Sequence, residues 1–191
     1  VTNRAFHLCK DLKKVVLNEG LVNIGSRAFE QCTSLESITL PSTVTDIGNY
    51  AFSGCRKLKD ILVCSEGLEK IGMSSFAGCT SLQSITLPST VTEIGNTAFS
   101  LCGNLKEVVL NEGLEKIGGG AFIGCTSLET IKLPSSVIEL DDAVFHGCTD
   151  LIEVVIPEII EFLPDDINVF SWNKISDLDQ GLLLDICFQL N

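Results

Sequence analysis

The sequence predicts a solenoid of seven stacked coils, with short parallel β-strands along one side. Phenylalanine recurs every 23 residues, except for one step of 24, and a cysteine and a leucine follow it three and six residues later. A unit this short cannot bury its own apolar side chains and must stack on its neighbours. The phenylalanines are Phe6, Phe29, Phe52, Phe76, Phe99, Phe122 and Phe145, the cysteines are Cys9, Cys32, Cys55, Cys79, Cys102, Cys125 and Cys148, and the leucines are Leu12, Leu35, Leu58, Leu82, Leu105, Leu128 and Leu151.

Each repeat predicts the same elements in the same order. Apolar and polar residues alternate after the leucine, as in 37–40, which indicates a strand. A turn follows, then a second apolar pair such as Val44 and Ile47, and then Gly48. The next Ala-Phe pair begins a short segment on the opposite side, helical or 3₁₀, that returns to the cysteine. The one extra residue lies between Val63 and Leu68 and is interpreted as a turn insertion that leaves the ladder intact.

A longer period of 46 or 47 residues shows that two kinds of repeat alternate. Repeats of type A carry Val-Val-Leu-Asn-Glu-Gly-Leu, at 15–21 and 108–114 and loosely at 61–68. Repeats of type B carry Ile-Thr-Leu-Pro-Ser-Thr-Val, at 38–44 and 85–91 and in a related form at 131–137. The strand side is therefore expected to alternate between two kinds of strand, one from each type of repeat.

The run from Leu40 to Cys55, with its Ile-Gly-x-x-Ala-Phe-x-x-Cys spacing, resembles the BspA-type, or Treponema-type, leucine-rich repeat over roughly residues 1–163. The resemblance implies a right-handed, curved leucine-rich-repeat solenoid with its parallel sheet on the concave side. It also implies binding without catalysis, often in adhesion at a microbial surface. The chain departs from the pattern at Leu140-Asp141-Asp142 and at Leu163-Pro164.

The formal net charge of -12 is concentrated at the end of the chain. Residues 1–138 hold 13 acids and 12 bases, a net of -1, whereas residues 139–191 hold 12 acids and only Lys174, a net of -11. Such a balance disfavours a nucleic-acid partner, because phosphates would be repelled. No apolar run reaches the roughly 18 residues of a membrane-spanning helix. The start at Val1, inside a repeat, favours a piece of a longer array.

The cysteines and histidines predict no catalytic or metal chemistry. The seven ladder cysteines are expected to be free, buried, structural thiols, while Cys64 and Cys187 lie off the ladder and their redox state stays open. His7 and His146 fall at opposite ends of the stack, no zinc-ligand spacing occurs, and 118–120 is interpreted as a repeat glycine turn rather than a phosphate loop. No enzyme, metal or cofactor is expected.

Strand alternation predicts which side chains point away from the core on the concave side. We call the resulting surface the strand face. Its first row is Lys14, Ser37, Asp60, Ser84, Glu107, Thr130 and Glu153, and its second row is Val16, Thr39, Leu62, Thr86, Val109, Lys132 and Val155.

Four outward aliphatics on this face, Val16, Leu62, Val109 and Val155, suit contact with a protein or peptide, whereas ordinary β-propensity is the alternative explanation. Seven strands at about 4.8 Å and about 17 Å long present roughly 570 Å², less than the roughly 800 Å² per partner of a standard interface. The sequence predicts a monomeric binding domain, either a cell-surface adhesion module or an intracellular scaffold. The compartment stays open, because the family resemblance implies the cell surface, whereas free thiols and the lack of Asn-x-Ser/Thr acceptors favour the intracellular alternative.

The acidic residues 164–191 are predicted to cap the solenoid. Apolar spacing indicates a helix over 177–190, whose apolar face would seal the last coil. The alternative is a docking helix or an acidic patch for a basic partner.

Overall fold

The computed structural model describes residues 1–63 and 67–156, which form one stack of parallel coils. Two kinds of strand alternate along the chain. The short strands are β1 Asn23–Ile24, β3 Asp46–Ile47, β5 Lys70–Ile71, β7 Glu93–Ile94, β9 Lys116–Ile117 and β11 Glu139–Leu140. The longer strands are β2 Ser37–Leu40, β4 Asp60–Val63, β6 Ser84–Thr86, β8 Glu107–Val109, β10 Thr130–Lys132 and β12 Glu153–Val155.

The continuous sheet of the molecule is built from the short strands. All six pair in parallel, each one coil from the next, so that Ile24 lies opposite Ile47. The longer strands pair only two at a time, as β2 with β4, β6 with β8 and β10 with β12. Six of the seven predicted strands of the strand face are therefore present, whereas in the first coil Lys14 forms only an isolated bridge to Ser37. The uninterrupted ladder is formed by another segment of each coil. Two-residue strands are too short for an alternating pattern to reveal.

The side opposite the strand face consists of successive turns. In the second coil Ala28 N–H donates to Gly25 of the same coil (3.1 Å), whereas Phe29 N–H donates to Ala51 of the next coil (2.7 Å). Arg27 and Gln31 both adopt left-handed backbone conformations, with φ of 59°. A left-handed residue interrupts a right-handed helix. No helix therefore occurs among the described residues, which corrects the short helical or 3₁₀ segment predicted from the sequence.

The core is a ladder of identical side chains. Consecutive phenylalanine rings stack nearly parallel, with centroids 5.1–5.8 Å apart. Beside them each ladder cysteine from Cys32 onward donates its thiol to the carbonyl of the phenylalanine in the preceding coil, at 3.1–3.2 Å. The thiol is small and is a weak donor, so it fills the core and satisfies a backbone acceptor at once.

The junctions between coils are of two kinds. A type B coil joins the following type A coil through a pair of the longer strands. The type A turn of the first coil contacts the following type B coil: the Glu19 carboxylate accepts hydrogen bonds from the N–H (3.2 Å) and the hydroxyl (2.8 Å) of Ser42, in addition to the isolated bridge between Lys14 and Ser37. Glu112 binds Ser135 in the same way, at 3.1 and 2.9 Å. This alternation gives a structural reason for the repeat of 46 or 47 residues.

Candidate functional site

The two rows of the strand face point outward as predicted. Thirteen of the fourteen side chains are exposed and Val109 is half-buried. The residues between the rows, such as Ile38, Ile85 and Ile131, are buried in the core. The structure therefore brings the predicted residues together on one surface, with alternate side chains on opposite sides of each strand.

The aliphatic residues of this face lie on alternate coils, each beside a polar residue of the coil before it. Across the paired strands Thr39 lies opposite Leu62, Thr86 opposite Val109, and Lys132 opposite Val155. Because successive aliphatic residues are two coils apart, they lie about 10 Å from one another along the stack. Val16 is 73% exposed and Leu62 61%, so the apolar surface they offer is available to a partner.

Sequence reasoning missed other exposed apolar residues. Ile152, at the edge of the strand face, is 72% exposed, in a row where other coils carry Lys, Glu or Gln. Val22 and Ile138 are exposed, and each directly precedes a short strand of the continuous sheet. Leu8 and Leu101 are exposed in the turns. Comparing each ladder position across the seven coils would have singled them out. Exposed aliphatics therefore occur on several sides of the solenoid.

The buried ladder thiols are poor nucleophiles. Burial raises the pKa of Cys55 and Cys102 to about 12, and that of Cys32 and Cys148 to about 11. All seven ladder cysteines are free thiols, as predicted, and six of them are buried; the exposure of Cys9 corrects the prediction that all seven are buried. Cys9 is exposed, because in the first coil it has a neighbour on one side only. Cys64 and Cys187 lie outside the described residues, so their redox state stays open.

The described part of the chain is poor in clustered metal-ligating side chains and in buried polar residues. It contains no group of three metal-ligating side chains, and its buried polar residues are Ser74, Ser75 and Ser100. His7 Nδ1 lies 3.1 Å from Glu30 Oε2 in the first two coils, far from His146 in the seventh. In the glycine run, Gly118 occupies the position at which each coil packs closely against the preceding coil. Gly120 has a left-handed backbone conformation, with φ of 62°. These glycines serve the backbone of the repeat.

The stacked 23-residue coils, with their parallel strands and apolar ladder, define a leucine-rich-repeat solenoid. The sequence matches the family described as BspA type leucine rich repeat region over residues 1–66 and 62–176, and the chain belongs to that family. Leucine-rich repeats are in general protein-interaction repeats, and proteins built from them are typically non-catalytic binding domains. No curated protein matches the chain.

Solved structures of similar proteins come from several bacteria. The leucine-rich repeat protein of Treponema pallidum is 41% identical with a TM-score of 0.69, and the match covers 72% of this chain and 65% of that one. A leucine-rich repeat protein of Bacteroides ovatus is 37% identical with a TM-score of 0.78, over 83% of this chain and 41% of that one. The pneumococcal vaccine antigen PcpA is 28% identical with a TM-score of 0.63, over 84% and 44%.

The chain thus spans less than two thirds of the length of these proteins. The predicted division at residue 163, the acidic cap over 164–191 and its helix over 177–190 lie outside the described residues. Within the described ranges, no helix is long and apolar enough to span a membrane.

Proposed function

We propose that the strand face binds a protein or peptide, and that binding rather than catalysis is the function of this domain. The supporting observation is the row of aliphatic side chains left exposed on alternate coils, at Val16, Leu62 and Val155, beside hydroxyl and charged residues. Apolar groups bordered by polar ones are typical of protein contact surfaces. The exposure of these aliphatic side chains to water does not stabilise the fold.

The chemistry of the face indicates the kind of partner. Thr39 and Thr86 supply hydroxyl groups between the aliphatics, Lys132 supplies a cation there, and both charge signs occur along the first row. An extended segment with apolar side chains about 10 Å apart would place one in contact with each type A coil. The area of roughly 570 Å² is small for a stable complex on its own, so the partner is expected to contact the neighbouring turns as well.

The test uses a variant that keeps the fold and removes the apolar surface. Val16, Leu62, Val109 and Val155 are replaced together by Glu, and a displayed random-peptide library is selected on the parent chain. The selected peptides should bind the variant at least tenfold more weakly, since a tenfold loss corresponds to about 1.4 kcal/mol.

The matched control replaces Leu8, Val22, Leu101 and Ile138 by Glu, which adds the same charge at exposed aliphatics elsewhere. Its affinity for the peptides should stay close to that of the parent. Equal losses in both variants would assign the effect to net charge, and unchanged binding by the strand-face variant with an intact fold would refute the proposal.

We further propose cell-surface adhesion as the setting, in line with the family resemblance, with an intracellular scaffold as the second candidate. The free thiols of the ladder support the second candidate, because an oxidising compartment favours disulfides. Thiol counting on the protein isolated from its native cells and unfolded without reductant separates the two. Nine reactive thiols would count against an oxidising compartment.

A further inference from the structure

An open cavity of about 480 Å³ lies where the coils turn from the ladder cysteines toward the strand face. It spans the first three coils, and every side chain that lines it can form hydrogen bonds. Three are cations, two are hydroxyls and one is an amide: Lys10, Arg56, Lys57, Thr33, Ser34 and Gln31. No acidic side chain lines it, and no aromatic one.

The hydroxyl groups of the cavity lie on its middle coil, and its cations lie on the coils to either side. Thr33 and Ser34 belong to the second coil, Lys10 lies on the first coil, and Arg56 and Lys57 lie on the third. The outer coils are about 10 Å apart, so cations border the hydroxyl pair from both sides. The Thr33 hydroxyl donates to the carbonyl of Lys10 (3.4 Å), which holds the second coil against the first.

Hydrogen-bonding groups in the cavity remain available. The N–H groups of Thr33 and Ser34 and the Ser34 hydroxyl donate to no acceptor within 1–63 and 67–156. Over the same ranges, Lys10, Arg56 and Lys57 form no ion pair, although Asp11 adjoins Lys10 in sequence. Three unpaired cations close together repel one another, and an anion between them would relieve that repulsion.

The Gln31 side chain is held at the cavity by the shape of the next coil. It lies across Gly54, where an added Cβ would come within 2.3 Å of Gln31 Nε2. The glycine therefore leaves the space that the amide occupies.

At the equivalent positions of the other coils, no hydroxyl pair has cations on both sides: Arg56 and Lys57 border the pair of the fourth coil on one side, and 103–104, Gly-Asn, border it on the other. The hydroxyl pair recurs in the fourth coil as Thr80-Ser81 and in the sixth as Thr126-Ser127. The latter is bordered by 103–104, Gly-Asn, and 149–150, Thr-Asp, so no cation flanks it. The repeat itself therefore does not require basic residues at this place.

We propose that this cavity binds an anionic saccharide, with the oxyanion between the cations of the first and third coils and sugar hydroxyls on Gln31, Thr33 and Ser34. A lining in which every residue carries a hydroxyl, amide or cationic group suits a hydrophilic anion, and the aliphatic stems of the lysines and the arginine can pack against a sugar ring. The volume is at the small end of the range for ligand sites and corresponds to one or two sugar units.

Titration calorimetry of the 191-residue chain with a sulfated heparin-derived disaccharide, its desulfated counterpart and glucose 6-phosphate tests the site. The sulfated or phosphorylated sugar should bind, and the desulfated sugar should bind at least tenfold more weakly. Comparing the two anionic sugars distinguishes a sulfate ester from a phosphate ester. Absence of heat with both would overturn the proposal.

The variant K10Q/R56Q/K57Q should lose at least tenfold in affinity for the sugar that binds. The control K13Q/K59Q/K106Q removes the same charge from a neighbouring exposed row and should change the affinity less than threefold. Equal losses in both would show general electrostatic attraction and would overturn the proposal. The uncharged change T33V/S34A should also weaken binding, whereas T126V/S127A should not.

Two further results would assign the cavity to another occupant. Tighter binding of a glutamate-rich peptide or a short single-stranded oligonucleotide than of either sugar would contradict the saccharide. Self-association in sedimentation that is lost in K10Q/R56Q/K57Q would point to the acidic residues 139–191 of a second copy.

Discussion

At the scale of single residues, the glycine after each short strand is set by the distance between coils. A Cβ added at Gly95 would lie 2.7 Å from the backbone nitrogen of Met73, and Gly25, Gly48 and Gly72 meet the preceding coil just as closely. No side chain fits there unless the backbone moves. In the seventh coil Asp141 occupies this place, and the phenylalanine spacing there, 5.8 Å, is the largest of the six.

We expect Gly95→Ala to destabilise the protein by about 1–3 kcal/mol or more, since the methyl group forces two backbones apart. The matched control is Gly103→Ala, where the added Cβ would have Thr126 Oγ1 as its nearest neighbour, at 3.5 Å. The control should be neutral or stabilising by a few tenths to about 1 kcal/mol. Urea unfolding followed by circular dichroism measures both, and equal effects would contradict the close-approach argument.

At the scale of elements, the thiol ladder is a structural device. Each inner cysteine donates to a phenylalanine carbonyl in the preceding coil and is shielded from water by the coils on either side. Burial raises the pKa of these thiols, because the thiolate is poorly solvated in an apolar core. They should be unreactive until the coils separate.

In a C64S/C187S background we expect one thiol, that of Cys9, to react rapidly with Ellman's reagent in the native protein at pH 8. With a pKa of about 12 for Cys102, only about 10⁻⁴ of that thiol is ionised at this pH. Six further thiols should react only in denaturant. Rapid reaction of two or more thiols in the native protein would contradict the burial of the six inner ladder cysteines.

The glutamate–serine contacts in the type A turns should make stability depend on acid pH. Hydrogen bonds from Ser42 and from Ser135 and Ser136 hold the pKa of Glu19 and Glu112 below the usual 4.5. The stabilisation is therefore fully present above about pH 4.5 and is lost as the pH falls through the lower pKa of the folded state.

We expect E19Q/E112Q to lower the urea midpoint relative to the parent at pH 6 and to lose this difference progressively below pH 4.5. The control E115Q/E129Q changes two exposed glutamates whose side chains make no hydrogen bond or ion pair among the described residues. The difference in urea midpoint between this control and the parent should not disappear below pH 4.5. A constant gap between E19Q/E112Q and the parent down to pH 3 would be inconsistent with the contacts.

At the scale of the whole molecule, stability is expected to be a sum over neighbouring coils. A side chain inside the stack has a ladder partner on each side, whereas one at the end has a partner on one side only. Phe76 is fully buried between Phe52 and Phe99, while Phe6, at the end, is 37% exposed and contacts Phe29 alone in the ring ladder.

We expect Phe76→Ala to cost about 3–5 kcal/mol and Phe6→Ala about 1 kcal/mol, although the chemical change is the same. Equilibrium unfolding in urea measures both values. Similar costs at the two positions would show that the coils do not contribute through their nearest neighbours.

Much of the architecture follows from the repeat alone. The interval between phenylalanines predicts the coil, and the alternation in 37–40 predicts which side chains point outward, because both periods are properties of the chain. The continuous sheet of short strands was not predictable, since two residues carry no detectable alternation. The left-handed conformations at Arg27 and Gln31 were also hidden, because neither residue type requires them.

The candidate surfaces divide in the same way. The strand face was predictable, since its residues recur at one position of the repeat. The basic cavity was not, because Lys10, Ser34 and Arg56 come together only when three coils stack in register.

The sequence by itself determined that this chain is a stack of seven leucine-rich repeats with an outward row of aliphatic residues, since a 23-residue unit can bury its apolar residues only against copies of itself. The tertiary structure decided how neighbouring coils are joined: the sheet of short strands is continuous, and it is supplemented by pairs of longer strands at some junctions and by a glutamate–serine turn at others. It also decided which distant residues share a surface, because contacts between coils depend on the spacing and register of the stack.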